Sequence, residues 1–289
     1  VTEARRSAET RTGGSLARPV VTRAGERAAP VPRLEPGSPP FAVLIDFDGT
    51  VALADVGDAI MAAHVPGDWE AEEAAWEAGL LGSRQLMERE VALMPPDPDA
   101  LRATAEAQPL DTTFPRLVEA ARRLAVPLEV VSDGFGFFIE PALGRLGIAG
   151  VPVVTARFDF SRDGRPRIEW PNGDAACFVC GTCKRDRVLA HRAAGRRVVF
   201  VGDGASDRYA AAYADVVFAK RSLLRICLEN GWAFLRWTEL QEVTGWLESA
   251  VAAWRADGTA PPPTERPFIC GAEVWGPGRI DPPAPPERS

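Results

Sequence analysis

The sequence predicts an α/β protein: a doubly wound parallel sheet with helices on both faces and a small helical cap inserted after the first strand. Three observations carry this prediction. Short apolar runs rich in Val, Leu and Phe alternate with amphipathic stretches. Polar clusters of Asp, Gly and Ser directly follow three of those runs. One long interval, residues 55–110, has no strand-like run and repeats its apolar residues at helical spacing. The chain has 289 residues, 46% hydrophobic and 25% charged, the composition of a globular protein. With 33 basic and 40 acidic residues the formal net charge is −7, which argues against nucleic acid as a partner held through its phosphates. No apolar run reaches the ~18 residues of a membrane span, so no membrane partner is expected. The sequence sets no oligomeric state.

In chain order, residues 1–40 carry six prolines, four glycines and seven arginines without a helical or strand period. They are expected to form a disordered tail, because little burial offsets their ordering entropy. Residues 41–46 read as the first strand. In the cap at 55–110, Trp69, Trp76 and Leu80, then Met87, Val91 and Met94, recur at helical spacing. Asp97-Pro98 reads there as an N-cap followed by a first-turn proline. An insert this long is too large for a passive connection and reads as a cover over a substrate site. A helix over 115–125, opened by Thr113 and Pro115, leads to a strand at 128–132. A helix over 137–146 and a strand at 151–155 follow. Next come a helix over 184–194, a strand at 197–202, a helix over 206–214 and a strand at 216–218. Two helices, 223–230 and 240–254, complete the order. Residues 41–54 and 111–257 thus make one Rossmann-like core. Residues 258–289, with nine prolines in 32 positions, are expected to lack regular structure. Pro267, Phe268, Ile269, Cys270, Val274 and Trp275 within that stretch can still pack on the body.

Ligands of an open parallel sheet bind outside the carboxyl ends of its strands, and the three polar clusters stand there. Asp46-Phe47-Asp48-Gly49-Thr50 places two carboxylates at i and i+2, on the same side of a strand end. One acid could attack while the other exchanges protons with the leaving group. Ser132-Asp133-Gly134-Phe135 offers a hydroxyl and backbone N–H groups to an anion. Gly202-Asp203-Gly204-Ala205-Ser206-Asp207 sets two acids on a glycine-rich turn, a donor set suited to Mg²⁺. Each cluster alone also reads as a capped turn. Lys184 opens a predicted helix, where the helix dipole favours an anion. It is one of only two lysines, the other being Lys220, among 33 basic residues. Surface positions in this chain are therefore filled by arginine, and a lysine at a helix start stands out.

Taken together and in this order, the motifs resemble those of the haloacid dehalogenase superfamily, in its phosphatase branch, over residues 41–255. The resemblance implies an enzyme that hydrolyses a small phosphorylated metabolite through an aspartyl-phosphate on Asp46. It implies Asp48 as general acid and then base, and Ser132, Asp133 and Lys184 as phosphate-binding, with Asp133 standing where a glycine is common. It implies Mg²⁺ held by Asp46, the Asp48 carbonyl, Asp203 and the accessory acid Asp207. Asp48 speaks against dehalogenases, which lack that acid, and against transport ATPases, which carry threonine there. Residues 51–183 contain no lysine, which excludes the phosphonate-cleaving branch because arginine cannot form its Schiff base. A phosphosugar mutase or phosphotransferase would use the same residues, and a non-catalytic phospho-ligand-binding regulator is the reading from a different class.

The helical cap resembles that of the phosphoserine phosphatase group. Val131-Ser132-Asp133-Gly134-Phe135-Gly136-Phe137-Phe138 and Cys180-Gly181-Thr182-Cys183-Lys184 are similar to the methionine-salvage phosphatase subfamily, whose members hydrolyse a phosphorylated keto-enol sugar derivative. The stretches Phe218-Ala219-Lys220 and Cys227-Leu228-Glu229-Asn230-Gly231 fit the same group. By the same resemblance Asp55 faces the leaving group. Arg84 and Arg89 could bind an acidic substituent. Finally, Cys177, Cys180 and Cys183 have a spacing that could hold a structural Zn²⁺, but a tetrahedral site needs a fourth ligand from Cys227, Cys270, His191 or Asp174. Free thiols in a reducing cytoplasm are the default expectation.

Overall fold

A computed structural model of the chain describes residues 22–67, 69–77, 80–175, 177, 179–264 and 270. Strand β1 (Phe41–Ile45) is apolar and buried along its whole length, the pattern of a parallel strand covered on both faces. The chain then leaves the sheet for four helices, α1 (Val56–His64), α2 (Glu70–Glu77), α3 (Ser83–Leu93) and α4 (Pro98–Glu106). Asp55 caps α1 by accepting the Asp58 N–H, and Asp97 caps α4 through the Ala100 N–H, both at 3.1 Å. The two ends of this insert are zipped together. Leu53 N–H donates to Pro109 O and Asp111 N–H to Val51 O, each at 2.8 Å, making a neck between insert and core.

Past the neck come α5 (Phe114–Leu124), β2 (Leu128–Val131), α6 (Ile139–Arg145) and β3 (Val153–Val154). A hairpin of β4 (Arg157–Phe160) and β5 (Pro166–Glu169) follows, then α7 (Lys184–Ala193) and β6 (Arg197–Gly202). The chain continues through α8 (Arg208–Tyr213), β7 (Val216–Ala219), α9 (Arg221–Glu229), β8 (Leu235–Arg236) and α10 (Leu240–Asp257). Six strands pair in the order β3-β2-β1-β6-β7-β8, all parallel. Phe41, Val43 and Ile45 face one side, packed with Leu117 of α5 and Val243 and Leu247 of α10. Leu44 faces the other, with Val188 of α7, Ala211 of α8 and Leu223 of α9. The strand order reverses between β1 and β6. Their following loops therefore diverge and leave a crevice at the carboxyl edge, where such sheets bind ligands.

Several details depart from the sequence expectation. Residues 22–40, expected within a disordered tail, are irregular but packed. Thr22 is buried and its carbonyl accepts the Val153 N–H at the sheet edge (2.9 Å). Leu34 N–H donates to Ala194 O (2.8 Å), and Arg187 and Arg196 donate to Ala29 O (2.8 Å) and Pro32 O (2.6 Å). Arginines of the core thus satisfy carbonyls that a proline-rich run cannot pair with itself. Residues 1–21 and 271–289 lie outside the described residues, as do Pro267, Phe268 and Ile269. Residues 258–264 hold no helix or strand, as expected.

The β4–β5 hairpin and the two-residue β8 are not among the expected strands. The hairpin packs Phe158 and Phe160 against Phe135 and Phe137, with ring centroids 4.8–5.8 Å apart. Just beyond it, Trp170 Nε1 donates to Glu88 Oε1 of α3 (3.0 Å), so this segment leans on the cap. Leu80, expected on an apolar helix face, lies between α2 and α3 and is 77% exposed.

Candidate active site

The ends of β1 and β6, adjacent in the sheet, bring Asp46 and Asp203 to the crevice. Asp46 Oδ1 accepts the Phe47 N–H (2.8 Å) and an N–H of Lys184 Nζ (2.7 Å). Lys184, at the first position of α7, also donates to Asp207 Oδ1 (2.6 Å). Asp207 Oδ2 in turn accepts the N–H groups of Asp203 (2.9 Å) and Gly204 (3.1 Å). Both oxygens of Asp207 are thus committed to positioning the lysine and the acidic turn. The Asp207 carboxylate also lies within 4.8 Å of those of Asp46 and Asp203, so it stands in reach of the same cation as they do. Asp203 takes the Thr50 hydroxyl on Oδ1 and the Arg221 guanidinium on Oδ2, both at 3.1 Å.

Asp48 stands beside this network. Its Oδ1 accepts the Val56 N–H (3.1 Å) and its Oδ2 the Ser132 hydroxyl (3.4 Å). Ser132 is fully buried, and its Oγ also accepts the Gly134 N–H (2.9 Å). Two glycines let these loops approach. A Cβ on Gly134 would sit 2.2 Å from Asp48 Oδ2, and one on Gly49, whose φ is +66°, 2.2 Å from Asp203 Oδ2.

The side chains open onto a cavity of about 170 Å³. Its floor is Asp46, Asp48, Lys184 and Asp203, and its cap wall is Asp58, Glu73, Trp76, Ser83, Leu86, Met87 and Glu90. Charge is unevenly supplied. Asp46, Asp203 and Asp207 bring carboxylate oxygens within 4.8 Å of one another, facing the buried Lys184 ammonium, the half-exposed Arg221 and the more distant charge of Lys220. Burial and then Asp207 hold the Asp46 pKa well above the usual carboxylate range, although Lys184 works the other way. Burial and Asp207 likewise push Asp203 up to about 6. Burial opposes the charge on Lys184, but Asp207 and Asp46 outweigh it and keep the ammonium form. Asp48 is raised by burial and by Asp55. A buried cluster of carboxylates is a donor set that could hold a hard divalent cation, and Asp46, Asp203 and Asp207 all lie within its reach.

The structure brings together Asp46, Asp48, Ser132, Lys184, Asp203 and Asp207, and sets Asp55 at the rim of the same cavity. Of the other expected binding residues, Asp133 lines the cavity with its carboxylate engaged by neighbours, whereas Arg84 and Arg89 are not part of the lining. The Asp133 carboxylate accepts the Thr182 N–H (2.6 Å) and a bond from Ser83, so it ties α3 and the loop before α7 to the floor. Arg84 pairs with Glu88 (3.3 Å) and stacks on Trp170 (5.5 Å) outside the cavity, and Arg89 pairs with Glu72. Ser83, Leu86 and Glu90 share the face of α3 that lines the cavity, and Arg84 lies off that face. Sequence reasoning missed Thr50 and Arg221 at Asp203, and Glu90 in the cap. Burial and the nearby Asp55, Asp58 and Glu73 push Glu90 up to about 8. Its signal in the sequence is an acid at helical spacing among the apolar Met87, Val91 and Met94.

Comparison with known proteins agrees with this geometry. The model of haloacid dehalogenase-like hydrolases matches residues 43–212. A 2-hydroxy-3-keto-5-methylthiopentenyl-1-phosphate phosphatase of Exiguobacterium sibiricum is 30% identical over 218 residues, covering 72% of this chain and 96% of that protein. The protein of the same name from Geobacillus thermodenitrificans is 35% identical over 193 residues, covering 64% and 84%. Among solved structures, a phospho-aspartyl intermediate analogue of phosphoserine phosphatase superimposes with a TM-score of 0.55 at 18% identity, over 72% of this chain and 99% of that one. The chain belongs to the haloacid dehalogenase-like hydrolase family, on its phosphatase branch.

Proposed function

We propose that this enzyme is a Mg²⁺-dependent phosphomonoesterase in which Asp46 is the nucleophile. The observation that carries the reading is the Lys184 ammonium held between Asp46 (2.7 Å) and Asp207 (2.6 Å) at the floor of the cavity. A phosphate dianion is repelled by a carboxylate, so the site must supply positive charge where the two meet. Mg²⁺ bound by Asp46, Asp203 and the Asp48 carbonyl would neutralise charge on the phosphoryl oxygens. Asp46 attacks phosphorus and the bond to the leaving oxygen breaks as Asp48 gives that oxygen its proton. Asp48, now ionised, takes a proton from water as the water oxygen attacks phosphorus and releases Asp46. The raised pKa of Asp48 suits the first of these tasks. Ser132 and Val56 hold its carboxyl group in place.

The cap wall bears on the leaving group. It presents Asp58, Glu73 and Glu90 beside Trp76, Leu86 and Met87, while Arg84 faces outward. A leaving group carrying a carboxylate is disfavoured there, and one with hydroxyl, keto or apolar groups is accommodated. The compound named for the relatives, with its hydroxy, keto and methylthio groups, is of that kind, and we propose a substrate of this class. No described helix is long and apolar enough to cross a membrane. The described cysteines form no disulfide with one another, which suits a reducing cytoplasm.

The test is phosphate release by the full chain from a panel of keto-enol phosphates, sugar phosphates and phosphoserine. Turnover should vanish with EDTA, return with Mg²⁺ and be poorest for phosphoserine. Undiminished turnover in EDTA would remove the metal from the mechanism, and a preference for phosphoserine would remove the assignment of the wall.

A further inference from the structure

Two polar groupings stand apart from the reacting groups. Cys177, Cys180 and Cys183 border a small cavity together with Cys270. Among the described residues no three of these sulfurs lie within ligand distance of one another, so they do not assemble the zinc set that their spacing allows. The second grouping is the cap wall of the active-site cavity, where one buried side chain stands without a partner.

Ser83, Leu86, Met87 and Glu90 follow at i, i+3, i+4 and i+7 of α3, one face of the helix, and all four line the cavity. The polar groups there are satisfied unequally. Ser83 Oγ accepts the Trp76 indole N–H (3.1 Å) and bonds to Asp133. Asp55, at the rim, accepts the Asp58 N–H (3.1 Å). Glu90 is 8% exposed, yet no hydrogen bond or ion pair reaches its carboxyl group among the described residues. A buried polar group in that state is costly unless a ligand completes it.

Most charges facing Glu90 share its sign. Asp55 stands before α1, Asp58 on α1 and Glu73 on α2, and across the cavity lie Asp46, Asp48, Asp133 and Asp203. The cationic side chains of the lining, Lys184 and Arg221, stand on the core side and pair with Asp46, Asp207 and Asp203. Burial, then Asp55, Asp58 and Glu73, push Glu90 up to about 8. At neutral pH it is therefore an uncharged carboxylic acid with an O–H to donate.

We propose that Glu90 is the residue that selects the leaving group, donating its carboxyl O–H to a carbonyl oxygen of the substrate. This rests on the phosphatase reading above and supplies the atom by which a keto group is recognised. Trp76, Leu86 and Met87 beside it offer apolar surface to the carbon chain. A site built around one buried donor rejects an analogue that lacks the acceptor, because the donor then stays unpaired. An ammonium-bearing leaving group would instead draw Glu90 into its ionised form.

The experiment compares kcat/KM of the full chain with Mg²⁺ on 2-oxopentyl, pentyl and 2-aminopentyl phosphate, from about pH 6 to about pH 9.5. The keto-to-alkyl ratio cancels titrations of the floor and of the phosphate, which both substrates share. Wild type should prefer the keto ester by about tenfold or more near neutral pH. That preference should fall as pH rises through about 8. Glu90→Gln, which keeps a donor, should retain the preference and hold it level across the range. Glu90→Met, of similar length without a donor, should lose it, with the change in KM rather than kcat. Each variant is scored by a ratio, so a loss of folded protein alters neither readout. A keto preference in Glu90→Met equal to wild type, or one in wild type that stays level above pH 8, would overturn the inference and leave the phosphatase reading intact. Faster turnover of the amino ester than of the keto ester would also overturn it, making the wall a cation site. Absence of Mg²⁺-dependent turnover on all three esters would overturn the phosphatase reading, and this inference with it.

Discussion

The floor and the cap wall of the cavity are both rich in acids, and they treat them differently. On the floor, Asp46, Asp207 and Lys184 are 4%, 0% and 3% exposed and are joined by contacts of 2.6–2.7 Å. Their positions are fixed by strand ends and a helix start within one sheet. The wall stands on an insert joined to the core by the two bonds of the neck and by the contacts of Ser83 with Asp133 and Glu88 with Trp170. Of its acids only Glu90 is buried, and Asp55 at the rim is open to solvent. A rigid, cross-braced floor can hold reacting groups to within the tolerance chemistry needs. A wall carried on an inserted segment suits recognition, where fit to a leaving group matters more than exact placement.

That contrast is sharpened first by floor substitutions. Asp48→Asn should lower kcat by about 10²–10⁴-fold on an alkyl phosphate. It should cost much less on p-nitrophenyl phosphate, whose leaving group needs no proton. Equal losses on both would show that Asp48 is not the acid. Lys184→Met should lower kcat/KM by about 10²–10³-fold. It should also destabilise the fold by about 3–5 kcal/mol in urea titrations, because it strands two buried carboxylates. Unchanged stability would mean that the ion network is not braced as described.

On the wall, Glu90→Gln changes a pH profile. The carboxyl of Glu90 is raised from about 4.5 to about 8, so the folded state binds the proton more tightly than the unfolded chain does. Stability is unaffected by Glu90 below pH 4.5, falls as pH rises through that window and levels off above about pH 8. The Gln variant should therefore match wild type at about pH 4 and exceed it at about pH 9, by on the order of a few kcal/mol. Parallel profiles would contradict the burial of that charge. The smallest effect is expected for Arg84→Ala, under about twofold in kcat/KM and about 1 kcal/mol or less in stability. A large rise in KM confined to carboxylate-bearing substrates would return Arg84 to the cavity.

The same contrast explains how much the sequence discloses. Strand ends are marked by abrupt passage from apolar runs to Asp and Ser, so Asp46, Ser132 and Asp203 are legible from spacing alone. Lys184 is legible because lysine is rare in this chain. Orientation around a cap helix is not. Arg84 follows Ser83 by one residue, about 100° round the helix, and only the packed structure shows which face meets the cavity. Contacts between remote segments are equally silent. The Arg221 contact to Asp203, the arginines that hold residues 22–40 and the approach of Cys270 to Cys177 depend on folding as a whole. The β4–β5 hairpin was within reach, since Phe158, Phe160 and Ile168 alternate with polar residues around Asp163-Gly164.

The central claim is that Asp46 carries the phosphoryl group between substrate and water. Acid quenching during steady-state turnover of a ³²P-labelled substrate, followed by borohydride reduction and peptide mass spectrometry, tests it directly. Label should appear on the intact protein, and Asp46 alone should be converted to homoserine, with both signals absent from Asp46→Asn. Turnover with unlabelled protein at every quench time, or label that persists in Asp46→Asn, would contradict it.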